Sequence, residues 1–277
     1  MPTYAILGAT GQVGSSILDV LLKQQQGSSP ETKANTQDPI SIRAFVRSKQ
    51  RLLTMRPSLS SQSNTTIHEG QITNTTLLAS CIANTRAVFL CVAATDNVPY
   101  CSIAQETAHT VLAAMETISK SKSGDRLPEK LVILSSASLE PYLMGDLPAP
   151  FRVVMHAAAS WVYADLRLAE TYLRSHTPKG VELVFIKPGG LVHDTPVGHK
   201  LSTTRQETFL SFADLGAGMV EAANSESGAW AEADGNVSVV PAREGTRVEW
   251  YVPWFLVKGC LYHFFPAAYP YLVKVLP

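Results

Sequence analysis

Apolar and polar positions along the chain switch repeatedly between two periods. Residues 4–7 are a short apolar run, a glycine-rich turn follows, and residues 13–22 place apolar side chains at helical spacing: strand, turn, helix. Residues 40–46 predict a second strand and 66–68 a short third. The polar stretch 27–39 and the Ser/Thr-rich stretch before the third strand read as surface loops, the second of them flexible. A short helix is expected over 76–82. The continuous apolar runs 87–93 and 130–134 suit strands buried on both faces. Helices are expected over 103–119, 160–175 and 212–223, and strands over 181–186 and 237–240. This alternation predicts an α/β fold with a doubly wound, mostly parallel sheet.

Composition narrows the function classes. The 277 residues are 45% hydrophobic and 17% charged, with a net charge of zero. That suits a globular unit with a full core, and it leaves no basic stripe to displace counterions from nucleic acid. Cys81, Cys91, Cys101 and Cys260 form no C-x-x-C pair and have no histidine cluster beside them. Zinc and disulfide scaffolds are therefore not expected, no metal site is assigned, and a reducing compartment fits. A strand-like run starting at Thr3 leaves no room for a signal peptide, so a cytoplasmic location is expected.

The chemistry begins at the first turn, where Gly8-Ala9-Thr10-Gly11-Gln12-Val13-Gly14 joins strand to helix. A dinucleotide needs a sharp turn off the strand, backbone that approaches the diphosphate without a Cβ, and a helix start with unpaired N–H groups. Gly8, Thr10, Gly11, Gln12, Val13 and Gly14 meet that demand, and the arrangement is that of a Rossmann nucleotide turn. The second strand ends Val46-Arg47-Ser48-Lys49 with no carboxylate for an adenosine 2′-hydroxyl. Arg47, Ser48 and Lys49 instead suit a 2′-phosphate, which points to NADPH rather than NADH. Ala93, at the end of the apolar run 87–93, and Ser135 and Pro188, each just after a strand, complete the expected cofactor contacts.

The opening Ala5–Gly14 segment and Ala44-Phe45-Val46-Arg47 resemble the NmrA-like branch of the atypical short-chain dehydrogenases/reductases. His68-Glu69-Gly70-Gln71-Ile72, Lys187-Pro188-Gly189-Gly190-Leu191 and Ser211-Phe212-Ala213-Asp214-Leu215-Gly216 are similar to further segments of that family. Gln71 stands where the family usually has Asp, which keeps an acceptor for an adenine amino group but removes its charge. Tyr163-Ala164-Asp165-Leu166-Arg167-Leu168-Ala169-Glu170 is closest to the fungal secondary-metabolite, averufin oxidase-like members. The resemblance implies a Rossmann dinucleotide-binding region over residues 1–138. Residues 139–277 would supply the remaining strands, the substrate loops and a small aromatic C-terminal capping region of the same compact domain. It further implies redox tailoring of an aromatic polyketide or similar metabolite.

The superfamily's main branch uses Ser, Tyr and Lys, with Tyr four residues before Lys on one helix. Here Ser136 follows the fifth strand, Tyr163 opens the right helix, and Arg167 stands at the lysine position. Residues i and i+4 share a helix face, so a guanidinium would still stabilise a phenolate there, although it cannot relay a proton. The plainer alternative packs Tyr163 at the sheet edge and pairs Arg167 with Asp165 or Glu170. His156, and His193 with Asp194, are further acid/base candidates beyond strand ends. Lys187 reads more readily as a structural partner. Residues 139–159 read as an adaptable loop over an apolar substrate.

The tail from Trp250 to Pro277 is unusually aromatic, but lacks the unbroken run of about 20 residues that a membrane span needs. Packing over the substrate pocket or forming a homodimer interface ranks above resting on a membrane surface. Redox-neutral chemistry on the same scaffold, or a redox sensor that binds the dinucleotide and a protein partner, are the alternatives to a reductase.

Overall fold

A computed structural model describes residues 1–27, 39–144, 148–207, 209–243, 250 and 252–275. Most of the loop expected over 27–39 lies outside the described residues. Strands β1 (Thr3–Leu7), β2 (Ser41–Val46), β3 (Thr65–Glu69), β4 (Ala87–Leu90), β5 (Lys130–Leu134) and β6 (Glu182–Ile186) pair in parallel, in the order β3-β2-β1-β4-β5-β6. Two short strands, β7 (Leu191–Val192) and β9 (Leu210–Ser211), form a separate parallel pair. Beyond β6 the main sheet gains β10 (Asn236–Pro241) in parallel, and β8 (His199–Ser202) then pairs with β10 antiparallel at the edge. Strand order reverses between β1 and β4. In an open α/β sheet that reversal opens a crevice at the strand C-termini.

Period-two alternation along β1 divides its side chains between two cores. Tyr4 and Ile6 join one, and Ala5 and Leu7 the other. The first is covered by α1 (Gln12–Gly27) and α7 (Phe212–Asn224), through Ile17, Leu18, Leu21, Leu215 and Met219. These helices cross closely: a Cβ on Gly216 would stand 2.8 Å from the Ser16 side chain. The opposite face is covered by α3 (Thr75–Ile82), α4 (Ile103–Lys120) and α6 (Ser160–His176).

The amino end of α4 is capped from another helix. The Asp165 carboxylate of α6 accepts from the Ala104 and Gln105 backbone N–H groups at 2.9 and 3.0 Å, and from Gln105 Nε2 at 3.0 Å. Ser102, the residue before the helix, makes no capping bond to the backbone. Asp165 thus supplies both the acceptor and the negative charge that a helix start favours.

Two sequence expectations need correction. The stretch expected as a flexible loop before the third strand holds a 3-10 turn over Pro57–Ser61, following helix α2 (Lys49–Met55). Leu52 and Leu59 bury in the core and fix both. The adaptable loop expected over 139–159 is helical in its second half, where α5 (Ala149–Ala158) places Pro150 in a first turn that needs no N–H from it. Leu139, Leu143 and Met144 anchor the first half by burial. The tail folds as α8 (Val252–Phe264) and α9 (Tyr269–Val275), with Tyr251 outside the described residues. Among the described residues no helix is long and apolar enough to cross a membrane.

Candidate active site

The glycine turn lies at the β1/β4 reversal. Gly8 takes a left-handed φ of +88°, and a Cβ there would come within 2.8 Å of the Cys91 carbonyl oxygen on the neighbouring strand. Its own carbonyl accepts from Gly11 N–H at 2.9 Å and closes the turn. A Cβ on Gly14 would overlap that same Gly8 oxygen, so the first turn of α1 can seat against β1 only without one.

Gly11 is different, because it is exposed and a Cβ there would meet only Gly8 O, at 3.3 Å. Its bareness leaves open space on the outer side of the turn. Among the described residues, the N–H groups of Gln12, Val13 and Gly14 have no backbone acceptor outside the helix. Donors at a helix start beside a cradle with no Cβ fit a diphosphate. Gly11→Ala is expected to keep the native circular dichroism spectrum while weakening dinucleotide binding about tenfold, roughly 1.4 kcal/mol. Calorimetry checks this, and unchanged affinity would place the diphosphate elsewhere.

The residues expected at the adenosine end lie at the β2 terminus and the start of α2. Arg47 and Lys49 are exposed. Ser48 caps α2, its Oγ accepting from Arg51 N–H at 3.2 Å, which leaves its proton for an external acceptor. The sequence reading missed Glu69 at the end of β3, whose carboxylate accepts from Lys49 N–H at 2.9 Å. Gln71 is exposed just beyond, and its backbone carbonyl accepts from Asn74 N–H at 2.9 Å. On the other side of the turn, Ala93 lies half-buried in the loop after β4. The neighbouring Cys91 packs on the core, and burial pushes its thiol up to about 12.

His193 comes to the glycine turn, with its Nε2 2.7 Å from Gln12 Nε2 and its ring 4.6 Å from that of Phe212. Nothing local in the sequence announces this contact, which spans 181 residues.

The structure brings His156 and Tyr163 together. The turn between α5 and α6 sets their rings edge-on, with centroids 5.3 Å apart. Asn97, fully packed in the loop after β4, holds the turn. Its Nδ2 donates to the carbonyls of Ala157 (3.2 Å) and Gly259 (2.9 Å), and its Oδ1 accepts from Trp161 N–H at 2.9 Å. Beside them Tyr100 packs on Trp161 with ring centroids 4.3 Å apart. Arg167 is exposed one turn beyond Tyr163, and neither carboxylate considered for it in the sequence reading is free. Asp165 caps α4. Glu170 belongs to a buried cluster.

That cluster sits where β5 and β6 end. Lys187, fully buried, donates to both oxygens of Glu170 at 2.6 and 2.7 Å and lies 3.1 Å from Glu140. Ser135 donates its hydroxyl to Glu170 Oε1, one of those two oxygens. So Ser135, expected at the cofactor, is turned into this ionic cluster. Ser136 stays half-buried at the strand end, its Oγ accepting from Ser138 N–H at 3.3 Å. The Pro188 carbonyl accepts from Ala137 N–H at 3.0 Å and ties the two strand ends together. A cavity of about 480 Å³ lies elsewhere, at the sheet edge by Tyr142, Thr203 and Asn236, and includes none of the predicted site residues.

A family model described as NAD(P)H-binding matches residues 8–226, from the first glycine to just past α7. The chain belongs to this family. Among curated proteins it is 41% identical to oxidoreductase stcQ of Emericella nidulans, over 98% of this chain and 94% of that one. It is also 41% identical to oxidoreductase aflX of Aspergillus parasiticus, over 98% and 95%. A short-chain dehydrogenase/reductase of Veillonella parvula, solved in complex with NADP, superposes with a TM-score of 0.56 over 89% of this chain and 97% of its own. At 16% identity that likeness shows the Rossmann-type fold alone. Family and relatives together make this protein an NAD(P)H-dependent oxidoreductase.

Proposed function

We propose that this NAD(P)H-binding oxidoreductase is an NADPH-dependent reductase of a small, apolar, aromatic metabolite of the polyketide type. The observation that carries the reading is the bare glycine turn at the β1/β4 reversal, flanked at the end of β2 by exposed Arg47 and Lys49. When bound, the nicotinamide would supply a hydride. Gly8, Gly11 and the α1 amino end hold the diphosphate. Arg47, the Ser48 hydroxyl and Lys49 face the 2′-phosphate.

Tyr163 is the proton donor at the substrate oxygen, and Ser136 orients that oxygen. The Arg167 guanidinium, one turn on, stabilises the phenolate that results without itself passing a proton. His156, edge-on to Tyr163, is the second titratable group at this wall. Tyr100, Trp161 and Tyr163 offer aromatic surface to a flat substrate. The substrate class is further supported by the likeness to stcQ and aflX.

Calorimetric titration with NADPH and NADH tests the cofactor assignment. NADPH is expected to bind at least about tenfold more tightly, and the double variant Arg47→Gln/Lys49→Gln to lose that preference, since each charge-assisted phosphate contact contributes roughly 1–2 kcal/mol. Equal affinities in the parent protein would overturn the NADPH assignment. Oxidation of NADPH in the presence of hydroxylated anthraquinones and related aromatic ketones tests the substrate class. Cofactor binding with conversion of such compounds but no net NADPH oxidation would move the reading to redox-neutral chemistry.

A further inference from the structure

We infer that α5, α8 and α9 form a docking face for anionic lipid surfaces. Helix α8 turns its polar groups inward. Lys258 pairs with Asp96 at 3.0 Å, and His263 Nδ1 meets Ser160 Oγ at 2.8 Å. Gly259 packs so tightly on the end of α5 that a Cβ would overlap the Ala158 carbonyl. With its polar side used in this way, the helix presents apolar groups to solvent. Val257 is 50% exposed and Phe264 67%, and Phe265, Val153 and Tyr271 extend the patch across the neighbouring segments. Large apolar side chains exposed together on adjoining elements mark an interaction site.

The charge pattern selects the occupant. The chain as a whole has 23 acidic and 23 basic residues, yet neither α5 nor the segment from α8 through α9 contains a single Asp or Glu. The basic residues there include Arg152 on α5 and Lys274 on α9. In an isologous dimer the same patch meets itself and brings these cations together, and α5, α8 and α9 themselves offer no carboxylate to pair them. A surface of anionic headgroups complements them. Phe, Trp and Tyr side chains then sit at the boundary between headgroups and acyl chains. With 13 residues, α8 is about 20 Å long and lies in that boundary without crossing it. Because α5 also carries His156, the docked face adjoins the Tyr163 wall, although docking itself does not rest on the reductase reading.

Co-sedimentation with phosphatidylcholine vesicles and with mixed phosphatidylcholine–phosphatidylserine vesicles tests this directly. The intact protein is expected to bind the mixed vesicles about tenfold more tightly than the zwitterionic ones. Arg152→Gln/Lys274→Gln should lose that difference, and Phe264→Ser/Phe265→Ser should lose binding to both vesicle types while retaining dinucleotide affinity. Should the phenylalanine variant fail to fold, quenching of tryptophan emission by acyl-brominated lipids reports insertion in the parent protein, and Trp254→Phe should reduce it. Absence of both sedimentation and quenching overturns the inference. So does a stable dimer in sedimentation velocity that the Phe264→Ser/Phe265→Ser variant disrupts, because a second copy would then own the face.

Discussion

Tyr163→Phe is expected to lower kcat about a hundredfold or more while leaving the dissociation constant for NADPH within a factor of about two. The phenol is the one hydroxyl on the α6 face that both precedes Arg167 by a turn and stands beside His156. Removing a positioned general acid costs on the order of 10²–10⁴ in rate. The ring itself packs against the core beneath α6, and phenylalanine preserves that packing, so the fold should be indifferent to the change. Steady-state kinetics with a reducible aromatic ketone, alongside calorimetry, separates the two effects. An unchanged kcat would remove Tyr163 from the chemistry and leave its packing as its whole role. Arg167→Ala should follow in the same direction with a smaller loss, because it acts on the charge of the phenolate and not on the proton itself.

Lys187→Met is expected to destabilise the protein by about 3–5 kcal/mol, the usual loss when one member of a buried ion pair is removed. Among the described residues, the ammonium is the only cation within ion-pairing distance of Glu170, which is itself buried, and of Glu140 at 22% exposure. Its loss leaves two carboxylates side by side in low dielectric, with the Ser135 hydroxyl as the remaining donor to Glu170. For a chain of this size the melting temperature should fall by about 10 °C. Calorimetric melting checks the figure, and the double variant Lys187→Met/Glu170→Leu should recover much of it by removing the stranded charge. A drop under about 1 kcal/mol in the single variant would mean that water reaches the cluster.

The two predictions sit at opposite ends of what a sequence can tell. That Tyr163 and Arg167 share a helix was legible because their relation is local, four residues apart. The Lys187 cluster was legible only in part. The residue read as a structural partner, but Glu170 was considered for Arg167 and Ser135 for the cofactor. Both actual contacts cross between elements. Lys187 reaches Glu170 over 17 residues, and Ser135 reaches it over 35. Burial, which no local pattern reports for a charged side chain, decided the pairing.

The same division runs through the whole molecule. Local periodicity was enough to set β1, the glycine turn and α1, and the apolar runs of β4 and β5, because a strand buried on both faces or a helix with one apolar stripe writes its environment into neighbouring residues. The tertiary structure alone decided that Asp165 caps a helix some sixty residues away, that His193 meets Gln12, and that residues 149–158 coil into a helix under α8. Those outcomes turn on which surfaces meet after the sheet has formed, where a carboxylate finds an unpaired N–H or a glycine admits a neighbouring backbone, and no stretch of chain contains both sides of such a contact.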